Sequence, residues 1–371
     1  MKLKNYKLGE LIELVVETNS DELFGPDDVR GISNLKKMMS TKADLNGRDL
    51  SKFQIVRPGT FVFNHRTSRN GSKFSITYNY DSVPHIFTED YVVFRIKKDC
   101  ENILLKEWLY MYFCRAEFDR FVITNSWGSS TEFYNWEDLC DIDITLPSIE
   151  QQRKYVDIYL ALQNNFAVYQ SKADELKLVC DGYIEELRRK MPSERIGEYI
   201  RPCDERNSGL KIKLAQGITN DKEFATPKQV AEAETSAKIV RKGQFAYNRA
   251  TTRNGEKISI AYRIGEDCVV SSAYQIFEIS AKDKLYPEYL MMWYKRSEFD
   301  RYARYMSKGS AHEFFEYEDM EDVQIPIPPI EIQKSIASIY NVYIERQRIA
   351  DALKKQINNI CPVLIRGSFE E

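Results

Sequence analysis

Histidine is scarce in this chain: the three, His65, His85 and His312, show no metal-ligand spacing. The seven cysteines, at 100, 114, 140, 180, 203, 268 and 361, form no Cys-x-x-Cys pair. An odd, dispersed set reads as reduced core thiols rather than a disulfide framework or a zinc site. No apolar run approaches the roughly 20 residues of a membrane span. The opening MKLKNYKLGELIEL lacks the apolar stretch and small-residue cleavage site of a signal peptide, so a cytoplasmic protein without a membrane partner is expected. P-loop, GxGxxG and GxSxG motifs are all missing, as is the Asn/Asp-Pro-Pro-aromatic signature of amino-methyltransferases. The acidic stretches 132–143 and 316–322 resemble solvated faces more than nuclease sites. No catalytic constellation and no metal site can be nominated, and the chain reads as a non-enzyme.

What the sequence does have is a second copy of itself. Residues 55–76, IVRPGTFVFNHRTSRNGSKFSI, return at 239–260 as IVRKGQFAYNRATTRNGEKISI, with 13 of 22 positions identical and no gap. KLGEL (7–11) answers to RIGEY (195–199), RGIS (30–33) to QGIT (216–219), RAEFDR (115–120) to RSEFDR (296–301) and LPSIEQQ (146–152) to IPPIEIQ (327–333). The offset shrinks from 188 through 186 and 184 to 181 residues, so small insertions and deletions have accumulated within one order of elements. That is two copies of a domain in 371 residues, each long enough to bury a core, and not a solenoid of 20–50-residue repeats.

Each copy ends in a helix signal. Ser148 and Gln151 fit a capping box, and the following seam runs Tyr155, Tyr159, Leu162, Phe166, Tyr169, Ala173, Leu176, Cys180, Tyr183 and Leu187 before Pro192. The second copy gives Ile336, Ile339, Tyr343, Arg346, Ala350, Leu353, Ile357 and Ile360, expected to end at Pro362. Two long helices with apolar stripes most simply pack on each other; the alternative is that each covers its own domain. Ahead of them each copy is mixed α/β. Short alternating runs such as TFVFN (60–64), KFSITY (73–78) and YVVFRI (91–96) are followed by one helix near 104–121 and its counterpart near 287–305, whose aromatics read as core.

The polar residues shared by both copies centre on TxRNGxK, at Thr67–Lys73 and Thr251–Lys257. Asn70-Gly71 and Asn254-Gly255 predict two-residue hairpin turns. Residues 52–73 hold five Lys/Arg and no acid, and residues 236–257 hold six and one, so both windows carry +5 in a chain of net charge −3. Basic hairpins of this kind offer cations to phosphates, and arginine or asparagine to base edges in the major groove. The candidate DNA-contacting residues are Arg66, Thr67, Arg69, Asn70 and Lys73 in the first copy, and Arg249, Thr251, Arg253, Asn254 and Lys257 in the second. A turn with no ligand is the competing reading, and the low overall charge argues against a generic DNA binder. A second shared stretch, Gly128-Ser129-Ser130 and Gly309-Ser310-Ala311, follows divergent neighbours that include Asn125, Trp127, Lys308 and His312, either surface drift or residues that read different sequences.

The two-copy plan, the RPGTFVFN and RKGQFAYN strands leading to glycine turns, and the LPSIEQQ and IPPIEIQ junctions that open long helices together resemble the DNA-specificity subunits of type I restriction-modification systems. The resemblance covers nearly the whole chain. Ser148 replaces the second proline of the junction in copy one, and Ile332 replaces the first paired glutamine in copy two. It implies an α+β fold with two tandem homologous α/β target-recognition domains, 1–147 and 192–328, followed by long helices at 148–191 and 329–371 that pair as an antiparallel coiled coil with a pseudo-two-fold. Each domain would read half of a bipartite, asymmetric site on double-stranded DNA. The helices would dock two methyltransferase subunits, which carry S-adenosylmethionine, and restriction subunits that use ATP and Mg, leaving this chain without a cofactor. A two-domain protein-interaction scaffold without sequence-specific DNA binding is the alternative.

Overall fold

The computed structural model describes residues 3–41, 43–67, 72–129, 131–227, 235–251, 257–309 and 313–370. Two compact units result: Met1–Tyr169 with Ile349–Glu371, and Gln170–Arg348.

In the first unit an antiparallel sheet runs in the order Ile12–Val15, Tyr91–Ile96, Phe61–Asn64, Ile76–Tyr78. Its period-2 alternation feeds two cores. Phe61, Phe63, Phe94 and Ile76 pack under the helices, whereas Val62 and Val93 join Val56 and Phe87 on the opposite face. The helices are α1 (Leu8–Leu11), α2 (Lys106–Phe113), α3 (Ala116–Thr124), α4 (Trp136–Cys140) and α5 (Ile149–Lys190). Trp108, Met111 and Phe113 of α2 are fully buried, as core aromatics should be. Strands Lys4–Lys7 and Asp143–Leu146 pair where the chain enters and leaves the domain.

The second unit repeats this plan. Its sheet runs Ile200–Cys203, Tyr274–Ile279, Gln244–Asn248, Ile260–Tyr262, and Ser193–Arg195 closes on Gln324–Pro326. Helices α6 (Pro287–Tyr294), α7 (Ser297–Met306) and α8 (Tyr317–Glu321) match α2 to α4, and α9 spans Ile330–Gly367. The cross-strand pair Phe61–Phe94 has its counterpart in Phe245–Phe277, each with ring centroids 5.0 Å apart. The echoed glycines explain themselves here: a Cβ on Gly9 would lie 2.8 Å from Cys140 Cβ, and one on Gly197 2.8 Å from Glu321 Cβ.

Three expectations are corrected. The single helix near 104–121 is two, because Arg115 is extended (φ −73°, ψ 142°) and EFDR opens α3 instead of closing a helix; α6 and α7 break alike at Arg296. The second long helix does not stop at Pro362 but continues to Gly367. A mid-helix proline costs about 3 kcal/mol, and burial of Leu364 and Ile365 in the first unit's core, at about 1.5–3 kcal/mol per side chain, offsets it. Of the seam, Tyr155, Tyr159, Leu162, Phe166, Tyr169 and Leu176 are buried or half-buried, as are Ile336, Ile339, Tyr343, Leu353 and Ile357, but Tyr183 faces out and Ile184 takes its place inside. Both packing alternatives hold in part. In the first unit Val156 and Tyr159 of α5 share one core with Ile357, Cys361 and Leu364 of α9; in the second, Ile184 shares one with Ile336 and Ala337.

The long helices are locked at their starts by a residue that the capping-box reading passed over. Gln151 N does donate to Ser148 Oγ at 3.3 Å, but the next glutamine is the buried one. Gln152 Nε2 donates to Ile103 O (2.8 Å) and Pro147 O (3.0 Å), while its Oε1 accepts from Leu105 N (2.9 Å). Gln333 repeats all three with Lys284 O (2.7 Å), Pro328 O (2.7 Å) and Tyr286 N (2.9 Å). The position that lost its glutamine, Ile332, is exposed. Gln152→Leu strands three backbone groups, one buried and two part-buried, at up to about 1–3 kcal/mol each and should lower the first unit's urea midpoint markedly, whereas Ile332→Gln should leave stability within about 0.5 kcal/mol; urea titration with probes in each unit reads both.

Candidate nucleic-acid interface

The Asn70-Gly71 and Asn254-Gly255 turns lie outside the described residues. Phe63 pairs with Ile76, and Asn64 N donates to Ser75 O at 2.9 Å, where the strand pairing ends. The backbone of 65–67 is taken elsewhere: Thr67 N donates to Glu132 O (2.9 Å), Tyr134 N to His65 O (2.9 Å), and Arg66 bridges Phe133. Copy two does the same, with Thr251 N to Glu313 O (3.0 Å), Phe315 N to Arg249 O (2.9 Å) and an Ala250–Phe314 bridge. The two polar stretches singled out separately in the sequence are therefore neighbours in each unit. Arg69, Asn70, Arg253, Asn254, Ser130, Ser310, Ala311 and His312 lie outside the described residues.

The second stretch is itself a small hairpin. Trp127 and Phe133 exchange backbone hydrogen bonds of 3.0 and 2.8 Å, as do Lys308 and Phe314 at 3.1 and 2.9 Å. Gly128 (φ +146°) and Gly309 (φ +142°) turn it, and a Cβ on Gly128 would sit 1.9 Å from Thr131 O. Beside it stand exposed aromatics, Trp127 at 71% and Tyr305 at 86%. His65 packs edge-on against Phe133 (5.2 Å), and burial lowers its pKa, which keeps the ring neutral at pH 7.

Beneath each pair of loops lies a buried ion pair. Lys36 Nζ meets Asp119 Oδ1 at 2.6 Å and donates to Phe113 O at 2.7 Å. Lys222 Nζ meets Asp300 Oδ1 at 2.6 Å and donates to Tyr294 O. Asp119 and Asp300 also accept from the loop backbone, from Phe74 N (3.0 Å) and Ile258 N (3.1 Å). Both lysines take the left-handed region, at φ +57° and +64°. The helix break now has its reason: ending α2 at Phe113 and α6 at Tyr294 frees terminal carbonyls, which the ammonium caps at the negative end of the helix. Burial lowers the pKa of Lys36 and of Lys222, against the pull of their aspartates.

The candidate residues divide accordingly. Thr67 and Thr251 are 4% and 3% exposed, held in the loop base by bonds to 132 and 313, so they anchor rather than face a ligand. Lys73 lies 3.3 Å from Asp119 Oδ2 and is half-exposed; Lys257 is exposed. Arg66 pairs with Asp90 (2.8 Å) and Arg249 with Glu316 (2.9 Å). The +5 windows are largely compensated in space: Arg57 meets Glu17, Lys238 meets Asp204, and Arg241 meets both Glu205 and Asp267. Acids of the flanking clusters are structural too: Asp138 Oδ2 accepts from Asn135 N (2.8 Å) and buried Asp319 Oδ2 from Glu316 N (3.3 Å), which caps α4 and α8. Among the described residues no group of three His, Cys, Asp or Glu could hold a metal ion, and no helix is long and apolar enough to cross a membrane.

Residues 206–359 match the family described as the type I restriction modification DNA specificity domain. The match covers most of the second copy and bears out, over those residues, the resemblance read from the sequence. Among solved structures, a type I restriction-modification S subunit from M. genitalium is similar over 100% of this chain and 96% of its own, with a TM-score of 0.62 at 13% identity, which shows the shared fold. The HsdS subunit from Thermoanaerobacter tengcongensis matches over 99% and 96% at 16% identity, with a TM-score of 0.39. The comparison with curated proteins returned no match.

In both copies the sequence pointed to the loops and missed their foundations. Lys36 and Lys222 were in view, since RGISNLK and QGITNDK align, as were Asp119 and Asp300 in EFDR. Removing one member of a buried pair costs about 3–5 kcal/mol. Asp119→Ala should therefore lower the first unit's urea midpoint and leave the second unit's unchanged, and Asp300→Ala the reverse, each followed by unit-specific hydrogen exchange.

Proposed function

We propose that this chain is the sequence-reading subunit of a type I restriction-modification complex. The observation that carries this is the duplication itself. The buried scaffold beneath the two loop clusters is repeated almost atom for atom, while residues on the clusters differ, with Asn125 and Trp127 in one copy against Met306 and Lys308 in the other. One scaffold with two divergent surfaces suits a bipartite, asymmetric site on double-stranded DNA, one half per unit. Base contacts come from the loop residues, with Arg69, Asn70, Arg253 and Asn254 the side chains assigned to base edges.

The chain is the non-catalytic member of that complex. Two methyltransferase subunits supply S-adenosylmethionine and flip the target adenine, restriction subunits supply ATP and Mg, and this chain holds no cofactor. The complex is cytoplasmic. Methyltransferase subunits dock on the long helices, and α5, with 42 residues at about 1.5 Å each, is long enough to set the spacer between half-sites.

Methylome mapping of a plasmid library, with the neighbouring methyltransferase subunit expressed with and without this chain, should give a bipartite adenine motif only when the chain is present; identical methylation in both would overturn the proposal. Replacing Arg69 and Asn70 should relax one half-site, and Arg253 and Asn254 the other. Removing four residues between Tyr155 and Leu187 should shorten the spacer, and an unaltered spacer would count against the ruler.

A further inference from the structure

The first unit contains a pair of thiols with no role in the function above. Cys114 caps the C-terminus of α2, and Cys361 is a buried residue of α9. Distant in sequence, they line one small cavity of about 60 Å³ together with Lys36, Lys37, Tyr110 and Tyr159. The two thiols are close enough to shift each other's ionisation.

The surroundings make the two sulfurs unequal. The neighbouring Cys361 thiol and the charge of the buried Lys36 ammonium lower the pKa of Cys114, against burial and the Asp119 carboxylate. Cys361 is pushed up by Cys114 and by burial. Cys114 is also the partly buried residue of the two and Cys361 the fully buried one, so Cys114 is the nucleophile and Cys361 the resolving thiol. A water needs about 10–15 Å³ of such space, so the cavity admits an oxidant the size of hydrogen peroxide.

The second unit does not repeat the pair. The repeat offset of 181 places Lys295 opposite Cys114 and Cys180 opposite Cys361, so one thiol has become an amine. A disulfide at this place is open to the first unit alone.

We infer that Cys114 and Cys361 form a peroxide-sensitive modification site that closes to a disulfide and pins the end of α9 to the first recognition domain. The Cys114 thiolate attacks one peroxide oxygen, the O–O bond breaks, and the departing hydroxide takes a proton to leave as water, with Cys114 now a sulfenic acid. Cys361 sulfur then attacks Cys114 sulfur, and the sulfenic hydroxyl leaves with the Cys361 proton as a second water. Two thiols and one peroxide give one disulfide and two waters, with the peroxide reduced by two electrons.

The full chain, reduced and freed of reductant, is treated with hydrogen peroxide, blocked with iodoacetamide and mapped by mass spectrometry without reduction. The expected result is a Cys114–Cys361 cross-linked peptide as the first disulfide, with Cys114 consumed more than tenfold faster than Cys100 or Cys140, whose thiols burial makes less acidic. Cys361→Ser should abolish the cross-link yet leave Cys114 trapped by dimedone as a sulfenic acid, which reads the site even if the disulfide variant folds less stably; Cys114→Ser should abolish both. Oxidation of Cys100 or Cys140 before Cys114, or first cross-links that join other cysteines, would overturn the assignment.

Discussion

Each half of this molecule is organised around a lysine ammonium buried against an aspartate. Lys36–Asp119 and Lys222–Asp300 tie together a left-handed loop residue, the end of one helix, the first turn of the next, and the backbone at the base of the recognition loop. A hydrophobic pair of the same volume would be as stabilising or more so, but it would carry no donors to cap the α2 carbonyl and no acceptor for Phe74 N. The ion pair positions polar backbone that apolar packing leaves indifferent, and it does so in both copies. The loops above it can therefore change sequence without moving their foundations.

Charge leads to a related conclusion. In a chain of net charge −3, several cations of the basic windows are already answered by nearby acids, Arg66 by Asp90, Lys238 by Asp204 and Arg249 by Glu316. Since non-specific affinity for DNA comes mostly from phosphate neutralisation, much of the binding strength of a complex built on this chain would fall to its partners, with selection left to the loops.

Much of the fold was legible because it is written twice. Identical spacing of IVRxGxF and RNGxKxSI marked the central strands, and the Leu and Tyr seam marked α5, because backbone periodicity leaves a local trace. The helix break at Arg115 left none: it depends on Lys36, far away in sequence, arriving to cap Phe113 O. Residues 65–67 leave the sheet because their backbone partners lie at 132–134, a non-local competition that local propensity does not register. Thr67 and Thr251 resembled contact residues for the same reason, their burial being decided by that partner segment. The glutamine of the helix junction was seen as a repeated letter, but its three hydrogen bonds required Ile103 and Leu105 to be brought alongside. Tertiary contacts, not local preference, account for these misses.

The division into units cuts across both long helices, and this has a consequence for how the protein is made. The first unit includes residues 349–371, with Leu364 and Ile365 in its core and Trp108 Nε1 bonded to Ser368 Oγ at 3.1 Å. The second needs only the continuous stretch 170–348. On the ribosome the domain synthesised first is thus the one completed last: its core waits, short of one side, for the final two dozen or so residues, while the later domain has everything it needs within its own span. Domains generally fold in the order of their synthesis; here the order of completion is reversed, and removal of residues 349–371 takes a wall from the first unit's core.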